Sequence, residues 1–594
     1  MGNIVKVRDG LASQNEMDYT YNSNGTLATA KDADGNTTSY SYDSKGNLIG
    51  VTPPSPLGSE SFTYDGLSRV ISSTDGKGQT TTYTYNNLNK LTKIAYADGS
   101  SISYTYDVDN NLVTEVDSTG TTTFTYDALN RMTGKSLPNG TTISYTYDKV
   151  GNLLTYTDAG GTVTYGYNAV NLPTTITDPS GAKTTYNYDA DVDKMTSIAY
   201  PNGITTSYTY DDDRHVTSIV AKNSSGTSLM SFTYTYHGDL VSTVTDLNNN
   251  KTTYSYDALN RLTEAVTDNS SGVQTAKYEY PLDGAGNILA IKLNGVTTNT
   301  LTYNAANELV SNVGSSTINY TYDADGNLTS DGTLNYTYNA ANQTTGIGTD
   351  TYSYTGPDQT DRVQANNTSY TYGSLGLGSA TTSGSSVYYT RDSSGKLISE
   401  RTPSGTYYYL TNNIGSVILV TDSTGKVQNS YSYDPLGNSL GKTENVTNPW
   451  QFAGGYLDAT TGLYKFGTRY YNLTVGRWTQ PDPKGGKIVE PTSLDLYVYA
   501  NDDPINVVDP AGTSGFFNCL GGIITAIASL VGGLLLVDVV GMFLFGLSAA
   551  TAEIGIGLLL AWAALIWYIA GVIGVFVYAY NSIASGCGLP QWNI

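Results

Sequence analysis

Asp538 and Glu553 are the only charged side chains in residues 513–594, a stretch that also lacks Lys, Arg and His. A nuclease, a deaminase or an ADP-ribosyltransferase needs an acid, a base and groups that hold its substrate, so none of these chemistries fits. An apolar segment with isolated carboxylates can instead enter a bilayer. Candidate transmembrane segments run over 519–547 and 554–580, each long enough to span as a helix, with a turn between them. A carboxylate in lipid costs about 2.5–3.5 kcal/mol on insertion scales, which makes Asp538 a functional candidate. It would line a pore between associated hairpins or sense pH. The same Gly-rich helices would equally serve as a membrane anchor, and an unrecognised activity is the third reading. Orientation cannot be read, because the positive-inside rule needs Lys or Arg. Cys519 and Cys587, the only thiols, lie towards the two ends of this hairpin. They read as buried free thiols or, in an oxidising compartment, as a disulfide.

Elsewhere the chemistry is sparse. The sequence DADGN at 32–36 and 323–327 partly resembles a calcium loop but lacks its downstream Glu, and it reads better as a hairpin turn. His215 and His237 are isolated in turn regions and read as surface or packing residues. There is no P-loop, HExxH or GxSxG, and no cofactor or metal is expected.

The elements around these residues are repetitive. Aromatic pairs at i, i+2 recur from Tyr19/Tyr21 and Tyr40/Tyr42 to Tyr208/Tyr210 at intervals of 20–22 residues, then continue less regularly to Tyr372. Alternation with small polar residues puts both tyrosines on one face of a strand. Asp or Asn follows, then Gly-Asn or Asn-Arg two residues on, which are turn-forming types. An aliphatic residue such as Leu48, Leu112 or Leu153 opens the return strand. Each unit is therefore a hairpin, and successive hairpins pair into a spiralling antiparallel sheet with stacked tyrosine ladders. Residues 373–440 read as looser. The fold class is mainly β, followed by the helical hairpin.

Of the 594 residues, 52 are acidic and 30 basic, for a net charge of −22. Such a surface repels polyphosphate, so no nucleic-acid partner is expected. No signal peptide is visible at MGNIVKVRDG.

The sequence Tyr-Asp-x-x-Gly-Asn-Leu at 42–48, 147–153 and 322–328, with YDALNRL at 256–262, resembles the YD, or RHS, repeat. The stretch NPWQFAGGYLDATTGLYKFGTRYYNLTVGRWTQPDPKG, then LYVYANDDPINVVDPAG, resembles the core associated with those repeats. The resemblance implies a hollow β-shell over 1–440, a core plug over 441–512, and a variable toxin from 513 held inside. Insecticidal toxin complexes and bacterial polymorphic toxins are built this way, and teneurins use a similar shell for adhesion. It also implies an aspartyl-protease-like self-cleavage by Arg469, Asp482 and Asp509, with the cut near Thr513–Ser514. Two close carboxylates cannot both ionise, so one stays protonated as acid while the other activates water. The alternative is that the Asp-Pro pairs only make turns and Arg469 a buried ion pair. Thr513 stands where the family has a bulky apolar residue.

The resulting expectation is a polymorphic toxin of interbacterial competition, secreted or at the cell surface, that releases a pore-forming hairpin. Its partners would be target-membrane lipid, a cognate immunity membrane protein, and an N-terminal capping or delivery partner, since no delivery domain is seen. The alternative is an adhesive, carbohydrate-binding surface protein anchored by its tail, with Asp538 and Glu553 then in the anchor.

Overall fold

A computed structural model describes residues 4–8, 16–190, 193–486, 491–513 and 516–517. Ser514, Cys519, Asp538, Glu553, Cys587 and the segments 519–547 and 554–580 lie outside the described residues. Among the described residues the only helices are three short 3-10 turns, and no helix is long and apolar enough to cross a membrane.

The repeat folds as a meander. Thirty strands from Lys6–Arg8 to Thr317–Asn319 form one sheet, each antiparallel to the next in sequence. A twelve-stranded sheet from Tyr336–Tyr338 to Ser439–Glu444 continues the pattern. Within one unit, strand Thr37–Tyr42 pairs with Leu48–Thr52, and the register shifts between Ser41 and Tyr42. The same bulge recurs at Tyr64, Tyr85, Tyr106, Tyr126, Tyr147 and Tyr167, bending every hairpin alike.

Each residue of the motif has a local task. Oδ1 of Asp43 accepts the backbone N–H of Lys45 and Asn47, while Oδ2 accepts the Asn47 amide. Arg replaces Asn in the clasps Asp65–Arg69, Asp127–Arg131 and Asp257–Arg261. Gly46 turns the chain at φ +88°, and Asn130 and Asn260 do so at +61° and +63°. The second tyrosine donates its hydroxyl to the carbonyl that opens the preceding return strand. Tyr64 donates to Leu48, Tyr85 to Val70, Tyr106 to Leu91, Tyr147 to Met132 and Tyr210 to Met195, all at 2.7–2.8 Å. This replaces the expected tyrosine ladders: the phenols staple each hairpin to the one before it, and among the described residues ring stacking is confined to a few pairs such as Tyr278–Tyr280.

The ribbon then returns onto itself. Gly284 donates to Asp34, Lys77 pairs with Asp323 and Asp325, and Asp117 accepts from Thr355 and Gly356. Farther along, Tyr145 accepts from Ser374, Tyr165 donates to Arg391 and Tyr200 to Tyr409. These partners lie 209–250 residues apart, one turn of the spiral. Residues 373–440 are not loose. Strands Gly376–Thr382, Ser385–Arg391, Leu397–Thr402 and Gly405–Thr411 are paired, and the Gly-Ser clusters are their turns, with Gly384 at φ +83° and Gly395 at +90°.

The segment after 444 is built differently. Four short strands, Tyr456–Asp458, Leu463–Phe466, Arg469–Asn472 and Arg477–Trp478, form a small sheet. Phe452, Tyr464, Phe466, Tyr471, Trp478 and Tyr499 pack into one buried aromatic core there.

Candidate functional site

Arg469 opens the third strand of that small sheet and is 2% exposed. Its side chain lies over the Trp478 ring, 4.3 Å from the centroid. All three guanidinium nitrogens are spoken for. Nε donates to the Gly512 carbonyl at 2.5 Å and Nη1 to the Leu496 carbonyl at 2.9 Å. Nη2 donates to Oδ2 of Asp482 and Oδ2 of Asp509, both at 3.1 Å. The structure thus brings the three sequence-identified residues together on one nitrogen. Burial pulls the Arg469 pKa down, and the two carboxylates oppose that pull.

Each carboxylate is also held from its far side. Asp482 Oδ1 accepts the Lys484 N–H at 2.8 Å, and the Asp482 N–H donates to Leu496. Asp509 Oδ1 accepts the Thr513 N–H at 3.0 Å, closing the Asp-Pro-Ala-Gly turn. Gly512 sits at φ +64°, where a Cβ would come within 2.6 Å of the Phe466 carbonyl. Gly467, at φ +38°, approaches the Ala511 carbonyl so closely that no side chain fits. The chain at 511–513 therefore lies directly against the start of the Arg469 strand.

The segments that carry the carboxylates are tied to the shell. Arg477 binds both oxygens of Asp495 at 2.9 Å and donates to the Asn307 carbonyl. Gln480 donates to Asn327 and to the Asn342 carbonyl and accepts from Thr344. Tyr497 donates to the Gly326 carbonyl, and the Asn506 amide donates to the Tyr256 hydroxyl. A cavity of about 800 Å³ opens on Thr468, Arg469 and Asp482 and reaches shell residues such as Tyr40 and Glu60.

With both carboxylates ionised, this buried trio carries a net charge of −1. That arrangement can supply one acid and one base to a peptide bond beside it. Sequence reasoning missed Thr468, whose N–H and hydroxyl both bind the 511–512 backbone, and the anchors Gln480 and Tyr497. Only the position of Thr468 next to Arg469 could have signalled it. His215, expected to be isolated, bonds Asp211 and Asp239 and stacks on Tyr236 as part of a repeat turn. Among the described residues no cluster of His, Cys, Asp or Glu could hold a metal ion.

Known proteins match both the ribbon and its fold. The Teneurin YD-shell family model matches residues 7–117, 112–285 and 229–505. The chain is 37% identical over 128 residues to the tRNA3(Ser)-specific nuclease WapA of Bacillus spizizenii, covering 21% of this chain and 5% of that protein. It is 34% identical over 116 residues to the toxin subunit YenC1 of Yersinia entomophaga, covering 18% and 11%. Teneurin-3 of Danio rerio is 31% identical over 129 residues, covering 21% and 5%. The chain thus spans only a small part of the length of these relatives. The crystal structure of TcdB2-TccC3-TEV has the same fold, with a TM-score of 0.67 over 84% of this chain and 31% of that one, at 17% identity. With the family model matched from residue 7 to residue 505, the chain belongs to the Teneurin YD-shell family.

Proposed function

We propose that this chain is a toxin container of the polymorphic type, which cuts itself at the end of its plug and frees residues 513–594 as a membrane-active hairpin. The observation that carries the reading is the single buried guanidinium held between Asp482 and Asp509, with Asp509 in the turn that leads into the apolar tail. A segment this apolar would aggregate or insert prematurely if left exposed, and enclosure keeps it soluble until release. Asp538 and Glu553 would then act in the membrane. The tips of the early repeats, Leu67, Leu88, Val108, Leu129 and Val150, are 65–95% exposed along one edge of the ribbon. They support a capping or delivery partner on that rim. The immunity protein and the secreted or surface location belong to the same reading.

The test is a denaturing gel with intact mass, for the wild-type chain beside Asp482→Asn and Asp509→Asn. A tail fragment present only in the wild type supports the dyad. A single 63.4 kDa species in all three removes it. Dye release from liposomes by the freed tail then separates a pore from an anchor.

A further inference from the structure

The strand Arg469–Asn472 has two faces. Successive side chains point to opposite sides, so Tyr470 leaves the strand on the side away from the Arg469 guanidinium. It is fully buried, and its ring lies 5.8 Å from that of Tyr352 in the shell. Its hydroxyl meets two shell groups. Arg362 Nη1 donates to it at 3.2 Å, and the Tyr354 hydroxyl lies 2.6 Å away. Those partners come from the paired strands Asp350–Tyr354 and Arg362–Ala365. Arg362 in turn binds both oxygens of Asp458, in the first strand of the small sheet, at 2.5 and 2.9 Å. Lys465, opposite Tyr470 in register, lies over the Tyr354 and Tyr470 rings.

We propose that Tyr470 is a positioning residue for the self-cleavage: through Tyr354 and Arg362 its hydroxyl fixes the strand against the shell, and so fixes where Arg469 stands between Asp482 and Asp509. The proposal rests on the self-cleavage reading above. The carboxylates ride on segments that Arg477, Gln480 and Tyr497 tie to the shell. The guanidinium rides on a separate strand, so its place between them needs a tie of its own. Tyr471 holds that strand from the other face by donating to the Leu436 carbonyl at 2.9 Å. With Tyr471 in place, loss of the Tyr470 contact shifts the strand rather than freeing it. A displacement of about 1 Å at a reacting group costs about a hundredfold in rate, so a smaller shift is still read in the kinetics. With Arg362 donating to the Tyr470 oxygen, the Tyr470 proton is left for Tyr354, and the chain from Asp458 to Tyr354 runs in one direction.

Removing Arg362 would strand the buried Asp458, so the test deletes hydroxyls instead. Phenylalanine keeps each ring and loses only the oxygen. The experiment follows tail release over time from the freshly synthesised full chain, with thermal unfolding of the uncut chain of each variant. Tyr354→Phe and Tyr470→Phe are each expected to slow release about fivefold, the worth of one neutral hydrogen bond. The double variant slows it no further than Tyr470→Phe alone, because both changes break one contact. Tyr147→Phe loses a hydroxyl bond of the same kind in another hairpin. It is expected to lower stability by a similar amount and to release its tail at the wild-type rate. Tyr354→Phe cutting at the wild-type rate overturns the inference while the self-cleavage stands. So do rates that follow stability in every variant, Tyr147→Phe included, as a merely structural role requires. Effects that multiply in the double variant overturn it too. A wild type that never cuts overturns the cleavage reading and this inference with it.

Discussion

Replacing Arg469 by Lys keeps the charge and removes the fork, which separates what each contributes. The guanidinium makes four hydrogen bonds from three nitrogens: to Gly512, to Leu496, and to the two carboxylates. One ammonium placed between Asp482 and Asp509 keeps the two charged contacts and loses the two carbonyl contacts. Both lost contacts have a charged donor, at about 1.5–3 kcal/mol each, so the folded protein loses about 3–6 kcal/mol while the charge balance survives. Arg469→Met loses these contacts too and also strands two buried carboxylates, which adds about 3–5 kcal/mol. For the cutting step, the Lys variant releases Gly512 from one of its two donors and slows tail release by about tenfold or more. The assay is a time course of tail release, with thermal unfolding of the uncut chain of each variant to keep stability and rate apart. If Arg469→Lys cuts as fast as the wild type, the fork geometry has no role and the guanidinium acts as a point charge. If Arg469→Met also cuts, the assignment of the site is wrong.

Acidity should act on the spiral contact. Burial and the facing Asp283 push Asp34 up to about 6, and burial with Asp117 and Asp361 pushes Glu115 up to about 7. Groups raised on folding contribute stability that is full below the ordinary carboxyl range and is lost as pH climbs through 6 to 7. Hydrogen bonds within the turns hold Asp43, Asp65, Asp107 and Asp127 low, and their contribution is lost only as pH falls below about 4. Lys465, pulled down to about 7 by burial, changes little below that pH. Unfolding followed by calorimetry should therefore give a higher midpoint near pH 5 than near pH 7, and Asp34→Asn should narrow the gap; a flat profile counts against the carboxyl pairs. Tyr147→Phe removes the hydroxyl staple to Met132 and should cost about 1 kcal/mol, read as faster hydrogen exchange in its own hairpin and the one before it. Arg477→Met leaves Asp495 buried without its partner, so it should cost about 3–5 kcal/mol and delay tail release, although Arg477 touches neither Asp482 nor Asp509. Unchanged release at lowered stability would uncouple the plug from the shell.

The hairpins were legible because every residue of the repeat acts on neighbours close by in sequence. Asp43 clasps Asn47 four residues on, and Tyr64 reaches Leu48 sixteen residues back. What the tyrosines do was less legible, since spacing alone does not tell ring stacking from hydroxyl donation. The return of the ribbon at Lys77–Asp323 or Tyr200–Tyr409 has no local signature, because those partners differ in type from one contact to the next. The stretch 373–440 misled through its Gly and Ser content, which marks tight turns between well-paired strands. At the site, resemblance picked out the three charged residues. Thr468 contributes its hydroxyl through a backbone approach that needs Gly467 and Gly512 together, and this appears only in three dimensions.

The positions of the two carboxylates depend on the shell more than on each other. The strand that ends before Asp482 is fixed by Arg477 and Gln480 to Asn307, Asn327 and Asn342, all at hairpin turns of the ribbon. The segment that leads to Asp509 is fixed by Tyr497 to Gly326 and by Asn506 to Tyr256 and Val241. Those anchor points lie on hairpins spread from residue 241 to residue 342, so they stand in place only once the ribbon has wound past them. Arg469 can then collect both carboxylates onto one nitrogen. Without the shell, the segment keeps these residues and loses the anchors that bring them together. Under the proposed function, this dependence makes self-cleavage conditional on a wound shell, so that the cut comes after the ribbon has closed.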